Sequence, residues 1–92
     1  MAIEVRIPTI LRTYTGGEKS VSGAGATLSD LIGDLESRHP GIKERIVDES
    51  GLRRFVNVYL NDEDVRFLGG LDTPVSDGDT VTVLPAVAGG AR

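Results

Sequence analysis

Ile3-Glu4-Val5-Arg6-Ile7 alternates apolar and charged residues, the period of two expected of a half-buried strand. Pro8 interrupts the run, and Ile10-Leu11-Arg12 resumes it. Thr15-Gly16-Gly17-Glu18 reads as a turn, because paired glycines accept positive φ at little cost. Lys19-Ser20-Val21-Ser22 then completes an N-terminal hairpin, and residues 23–26 form a loop.

From Thr27 the period changes. Leu28, Leu31, Ile32 and Leu35 fall at i, i+3, i+4 and i+7, one apolar stripe of a helix, with Asp34, Glu36 and Arg38 on the other face. Thr27 and Asp30 have the spacing of a capping box. Gly33 costs about 1 kcal/mol in a helix interior relative to alanine, and close packing on a sheet would account for it. His39-Pro40-Gly41 ends the helix, since the residue before proline avoids the α region. Residues 42–47 suggest a second short helical turn with Ile42 and Ile46 inward, and Ser50-Gly51 a loop.

Phe55 to Leu60 is the strongest strand pattern, rich in β-branched and aromatic residues. Residues 61–64 read as a turn, Val65-Arg66-Phe67-Leu68 as a short return strand, and Leu71 and Val75 as side chains tucked beneath a loop around Pro74. Asp77-Gly78-Asp79 turns into the alternating strand Thr80-Val81-Thr82-Val83-Leu84. One amphipathic helix covers one face of a small mixed sheet, so the class is α+β. Placing the first and last strands as parallel neighbours, with the helix inside their connection, gives the β-grasp. Residues 1–84 are then the folded domain and residues 85–92 a flexible C-terminal tail leaving the end of a central strand.

Ninety-two residues make one small domain. The chain has no cysteine, which excludes disulfides, thiol nucleophiles and soft-metal sites. Ten basic and fourteen acidic residues give a net charge of −4, and aromatics make up 4% of the chain. That balance argues against a nucleic-acid footprint or a base-stacking platform and suits docking on a basic partner. The N-terminus carries charge where a signal peptide needs an apolar core, and no run is long enough to span a bilayer, so a cytoplasmic location and no membrane partner are expected.

Side-chain chemistry is sparse. His39, the single histidine, sits at a helix end, where a cation suits the dipole, and no base is visibly paired with a serine or threonine. Asp62-Glu63-Asp64 and Asp77-Gly78-Asp79 lack the ligand spacing and distal glutamate of a calcium loop and read as turns, so no metal site is expected. The glycines at 16, 17, 23 and 25 are not followed by the Lys-Ser/Thr of a phosphate cradle.

What remains is the tail, Leu84-Pro85-Ala86-Val87-Ala88-Gly89-Gly90-Ala91-Arg92. Pro85 removes a ladder donor and marks the expected end of the last strand. The glycines let the backbone pass a narrow slot, and Leu84 to Gly90 extends by about 23 Å, enough to reach another protein's active site. Fraying is the plainer reading of such an end. The segment from Asp77 to Gly90 decides between them: a tight Asp-Gly turn, an alternating strand, a proline and Val-Ala-Gly-Gly. It resembles the closing segment of the ubiquitin-like sulfur carriers, among them the small subunit of molybdopterin synthase and the thiamin sulfur carrier. Ile7-Pro8-Thr9-Ile10-Leu11-Arg12 and the stretch from Arg54 to Phe67, with its Asn-Asp-Glu-Asp-Val-Arg run, resemble the actinobacterial branch that serves cysteine biosynthesis.

The resemblance implies a protein cosubstrate, not an enzyme. The Gly90 carboxylate would be adenylated by a ubiquitin-activating-type enzyme, with the ATP and Mg used by that partner and no cofactor bound to the carrier. Conversion to a thiocarboxylate would then allow sulfur delivery to a biosynthetic enzyme, for cysteine or a thio-natural product. Val87, Ala88 and Gly89 would be read by partners. Ala91 and Arg92 depart from the pattern, because an amide at Gly90 cannot be adenylated, so a metal-dependent C-terminal peptidase is expected to remove them. Phe67 and Leu84 are candidate partner contacts on the later strands. Three other functions stay open: the small subunit of molybdopterin synthase, a modifier joined to lysines through Gly90, and an inert interaction domain.

Overall fold

A computed structural model describes residues 2–54 and 56–85. Strand β1 (Ile3–Arg6) is followed by a 3-10 helix over Thr9–Thr15, then β2 (Ser20–Gly23), helix α1 (Leu28–Arg38) and the single turn α2 (Lys43–Ile46). Two short strands, β3 (Val47–Asp48) and β4 (Gly51–Leu52), form a separate ribbon. Strand β5 (Val56–Leu60) leads to β6 (Glu63–Asp64), to 3-10 turns at Val65–Phe67 and Gly70–Asp72, and to β7 (Thr80–Pro85). The main sheet has the order β2-β1-β7-β5-β6, with β1 and β7 parallel and the other pairs antiparallel. This is the expected β-grasp, with the first and last strands adjacent and α1 in the connection between them.

Alternation in the strands produces the two layers. Ile3, Val5, Val58, Val81 and Val83 point to one face and meet Leu28, Leu31, Ile32 and Leu35 of α1 in a single core. Ile42 and Ile46 close one side of it and are fully buried, as the spacing predicts. The Thr27 hydroxyl accepts the Asp30 N–H at 3.2 Å and starts α1; the helix ends at Arg38, with the His39 N–H on the Leu35 carbonyl. Of the two acidic groups, Asp77-Gly78-Asp79 serves a turn as expected, whereas the expected turn over residues 61–64 is shorter, because Glu63 and Asp64 pair with β5 as β6. Asp79 Oδ2 accepts the Ser76 N–H at 2.8 Å, and Asn61 and Asp62 take positive φ between β5 and β6.

The structure corrects three expectations. Ile10-Leu11-Arg12 does not resume the first strand: Pro8 accepts the Leu11 N–H, the chain coils, and the threefold period turns Leu11 inward and leaves Ile10 outside. Val65–Leu68 is not a return strand, because pairing with β5 ends at Asp64, whose carboxylate caps the next turn by accepting the Arg66 N–H at 2.9 Å. Gly33 is not held by close packing; a Cβ built there meets nothing within 4 Å. The ribbon of β3 and β4 has no counterpart in the sequence reading. At the far end, Pro85 still belongs to β7, opposite Val56, one residue past the expected strand end.

Candidate functional site at the root of the C-terminal segment

Gly90, the residues Val87, Ala88 and Gly89 ahead of it, and Ala91 and Arg92 behind it lie outside the described residues. The structure fixes their root. Strand β7 is the middle strand of five, held on one side by β1 through Glu4, Val5 and Arg6 and on the other by β5 from Val56 to Leu60. Two ladders hold its first half, Thr80–Thr82, and the ladder to β5 alone carries it on to Pro85, the last described residue before the Gly-Gly pair.

The face of the sheet opposite α1 is open. Its surface is set by alternation: Glu4 and Arg6 from β1, Thr82 and Leu84 from β7, Asn57 and Tyr59 from β5. Beside Pro85 this face runs into a groove walled by the end of β1, the 3-10 helix and the start of β2. Arg12 braces that wall, donating its Nε–H to the Ile7 carbonyl at 3.1 Å. On the β5 side, Arg66 acts as a clamp. Its guanidinium donates to the Asn57 side chain at 3.0 Å and to the carbonyls of Arg53 and Val56, each at 2.7 Å. Asn57 is the ladder partner of Leu84, so the clamp ties the Val65–Phe67 turn to the strand position next to the root.

Large apolar side chains stand out on this scaffold. Phe67 is 87% exposed and Leu84 45%; Leu84 lies on β7, and Phe67 on the 3-10 turn and not on a strand. The sequence reading missed Ile10, 66% exposed, and Leu68, 46% exposed, because it placed both inside strands, where a twofold period hides every second residue. It also missed the Arg66 clamp, whose acceptors are backbone carbonyls that no side-chain pattern advertises. Away from this face, Glu36 is held below the ordinary glutamate range, chiefly by the Gly41 N–H and then by the Lys43 N–H. Arg45 is shifted up by its hydrogen bond to the Tyr14 hydroxyl. Neither group lines the groove. Among the described residues no three His, Asp or Glu side chains converge as metal ligands, and no helix is long and apolar enough to cross a membrane.

A family model described as the ThiS family matches residues 5–90. The chain belongs to the ThiS family. The match covers nearly the whole β-grasp and runs through the Gly-Gly pair, leaving Ala91 and Arg92 beyond it. Within this ThiS-family set, the chain is 61% identical over 93 aligned positions to the sulfur carrier protein CysO of Mycobacterium tuberculosis, spanning 98% of this chain and all of that one. It is 36% identical over 78 positions to the molybdopterin synthase sulfur carrier subunit of Aspergillus niger, 85% of this chain and 82% of that one. Among solved structures it superposes on a chain of the Amycolatopsis orientalis BexX/CysO complex with a TM-score of 0.92 and 67% identity, covering 97% of this chain and all of that chain.

Proposed function

We propose that this protein is a sulfur carrier, a cosubstrate whose reactive group is the Gly90 carboxylate. The observation that carries the reading is the family match through residue 90 on a chain 61% identical to a sulfur carrier protein. The fold supports it: the Gly-Gly segment follows in sequence the central strand of the sheet. The absence of cysteine fits, since a carried sulfur then has one place to sit.

The chemistry needs three partners. A metallopeptidase hydrolyses the Gly90–Ala91 bond and exposes the carboxylate. A ubiquitin-activating-type enzyme, using ATP with Mg, lets that carboxylate attack the α-phosphorus, and pyrophosphate leaves. Sulfide then displaces AMP, which departs with one carboxylate oxygen, and a thiocarboxylate remains. A persulfide donor gives an acyl disulfide at the same step; a second thiol then attacks the donor's sulfur, leaving as a disulfide with it and releasing the thiocarboxylate. A biosynthetic enzyme accepts the sulfur, for cysteine or a thio-natural product. The carrier supplies position and recognition; the glycines admit the terminus to a closed site because they carry no Cβ. The likeness to a molybdopterin synthase sulfur carrier subunit favours a second acceptor, a large subunit into which the same terminus would insert.

Intact mass of the protein purified from cells that make it natively tests the reading. Loss of Ala91 and Arg92, with a fraction carrying sulfur in place of one oxygen, is the expected result. Full-length protein that accepts sulfur elsewhere would overturn it.

A further inference from the structure

The chain carries a net charge of −4, yet the groove beside Pro85 has the opposite sign. Arg6, Arg12 and Lys19 line it against a single carboxylate, Glu4, which lies 3.8 Å from the Arg6 guanidinium. The surplus negative charge lies elsewhere: Glu44, Asp48 and Glu49 line a hollow by the β3–β4 ribbon, Glu63 and Asp64 form β6, and Asp62, Asp77 and Asp79 serve turns. The groove also has apolar anchors, Ile10 on its outer wall and Leu84 on its floor, both well exposed. Cations around exposed apolar side chains select an anionic segment with apolar residues in it. Outside the groove acidic residues outnumber basic ones, so charge favours encounter at the groove.

We propose that this groove docks an extended acidic segment, carrying at least one apolar side chain, of an enzyme that works on the Gly90 terminus. The partner's role rests on the sulfur-carrier reading; the binding chemistry does not. Arg12 is braced by its bond to Ile7 and presents its charge in one place, while Lys19, just before β2, is exposed. A segment seated here lies alongside β7 and next to Pro85.

Two measurements test it. In the first, the folded protein is titrated with a short peptide rich in Glu and Asp with a central Leu, and backbone amide shifts are followed by NMR. Shifts are expected at Arg6, Ile10, Arg12, Lys19 and Leu84, with affinity falling as salt rises, and Lys19→Glu should abolish them. The same peptide with Gln and Asn in place of the acids should leave the spectrum unchanged. Equal response to both peptides, shifts centred on Arg38 or Arg45, or stronger binding of a single-stranded oligonucleotide at these residues would overturn the proposal. In the second, the activating enzyme is assayed with the trimmed carrier, residues 1–90, with and without Arg6→Glu plus Lys19→Glu. The KM for the carrier should rise by on the order of tenfold with kcat unchanged, and Arg38→Glu, on the helix layer, should not raise it. An unchanged KM overturns the assignment of the partner. Failure of the trimmed form, residues 1–90 with no other change, to be activated overturns the sulfur-carrier reading, and the peptide titration then decides the groove by itself.

Discussion

The Asn61 carboxamide donates to the Asp79 carboxylate at 3.1 Å, joining two turns that lie 18 residues apart in the chain. The same side chain accepts the Thr80 N–H at 2.9 Å, at the first residue of β7. Asn61 does this with φ at 48°, a conformation that asparagine tolerates better than most residues. It therefore registers the start of the strand whose far end is Pro85. Asn61→Ala loses both bonds and places a Cβ residue without local compensation in the left-handed region, so it should cost about 2 kcal/mol in urea unfolding. Asn61→Gly keeps the backbone geometry and should cost less. Equal losses would show that the conformation contributes nothing.

Gly33 gives the opposite sign. It sits on the exposed side of α1 with open space where a Cβ would go and with ordinary helical φ. Gly33→Ala should stabilise the protein by about 1 kcal/mol through reduced freedom of the unfolded chain. A rise in urea midpoint with unchanged slope checks it. A fall would mean that the position is constrained by something other than helix propensity.

These two residues also mark how far sequence reading reaches. The threefold and fourfold spacing of Leu28, Leu31, Ile32 and Leu35 and the alternation through Ile3 and Val5, and through Val81 and Val83, predict the helix, both central strands and the core, because each element buries one face and shows it as a period. That one helix covers one face gives the two-layer class, while the parallel pairing of β1 with β7 is a placement that the structure bears out. Short 3-10 segments escape, since three residues per turn over so few residues leave no stable period; Ile10 and Phe67 were therefore assigned to strands. Gly33 was misread because a glycine carries no sign of whether anything lies against it. The groove charge was legible only once β1, the 3-10 helix and β2 brought Arg6, Arg12 and Lys19 to one wall.

Glu36 gives the fold a defined acid response. Its carboxylate accepts the Gly41 N–H, at 3.0 Å to one oxygen and 3.2 Å to the other, and the Lys43 N–H at 2.9 Å, so it binds the loop after α1 and the start of α2. Its pKa in the folded protein lies below the ordinary 4.5, first because of the Gly41 N–H. A group depressed in this way stabilises the fold above its unfolded value and loses that contribution as pH falls through the folded value. The stability gap between wild type and Glu36→Gln should thus be full at neutral pH and close progressively below pH 4.5. A gap that does not change with pH would contradict the assignment.

Phe67 should separate folding from recognition. It is almost fully exposed, so Phe67→Ala should shift unfolding by less than about 0.5 kcal/mol. An exposed aromatic on a braced turn is a typical interface anchor, and its loss should weaken partner binding by more than about 1 kcal/mol, read as a raised KM for the carrier in the activation assay. Arg66→Ala breaks the clamp on Asn57, Arg53 and Val56 and should raise KM in the same way while also lowering stability. An unchanged KM in Phe67→Ala would remove this side chain from the docking face.

The most direct measurement loads two forms side by side, residues 1–90 and the full 92, with an activating enzyme, ATP and sulfide, and maps the product by peptide mass. The account predicts that only the 1–90 form gains sulfur, in exchange for one oxygen, and that the gain maps to the peptide ending in Gly90. Sulfur on the untrimmed chain, or on a form lacking Gly89 and Gly90, would contradict it.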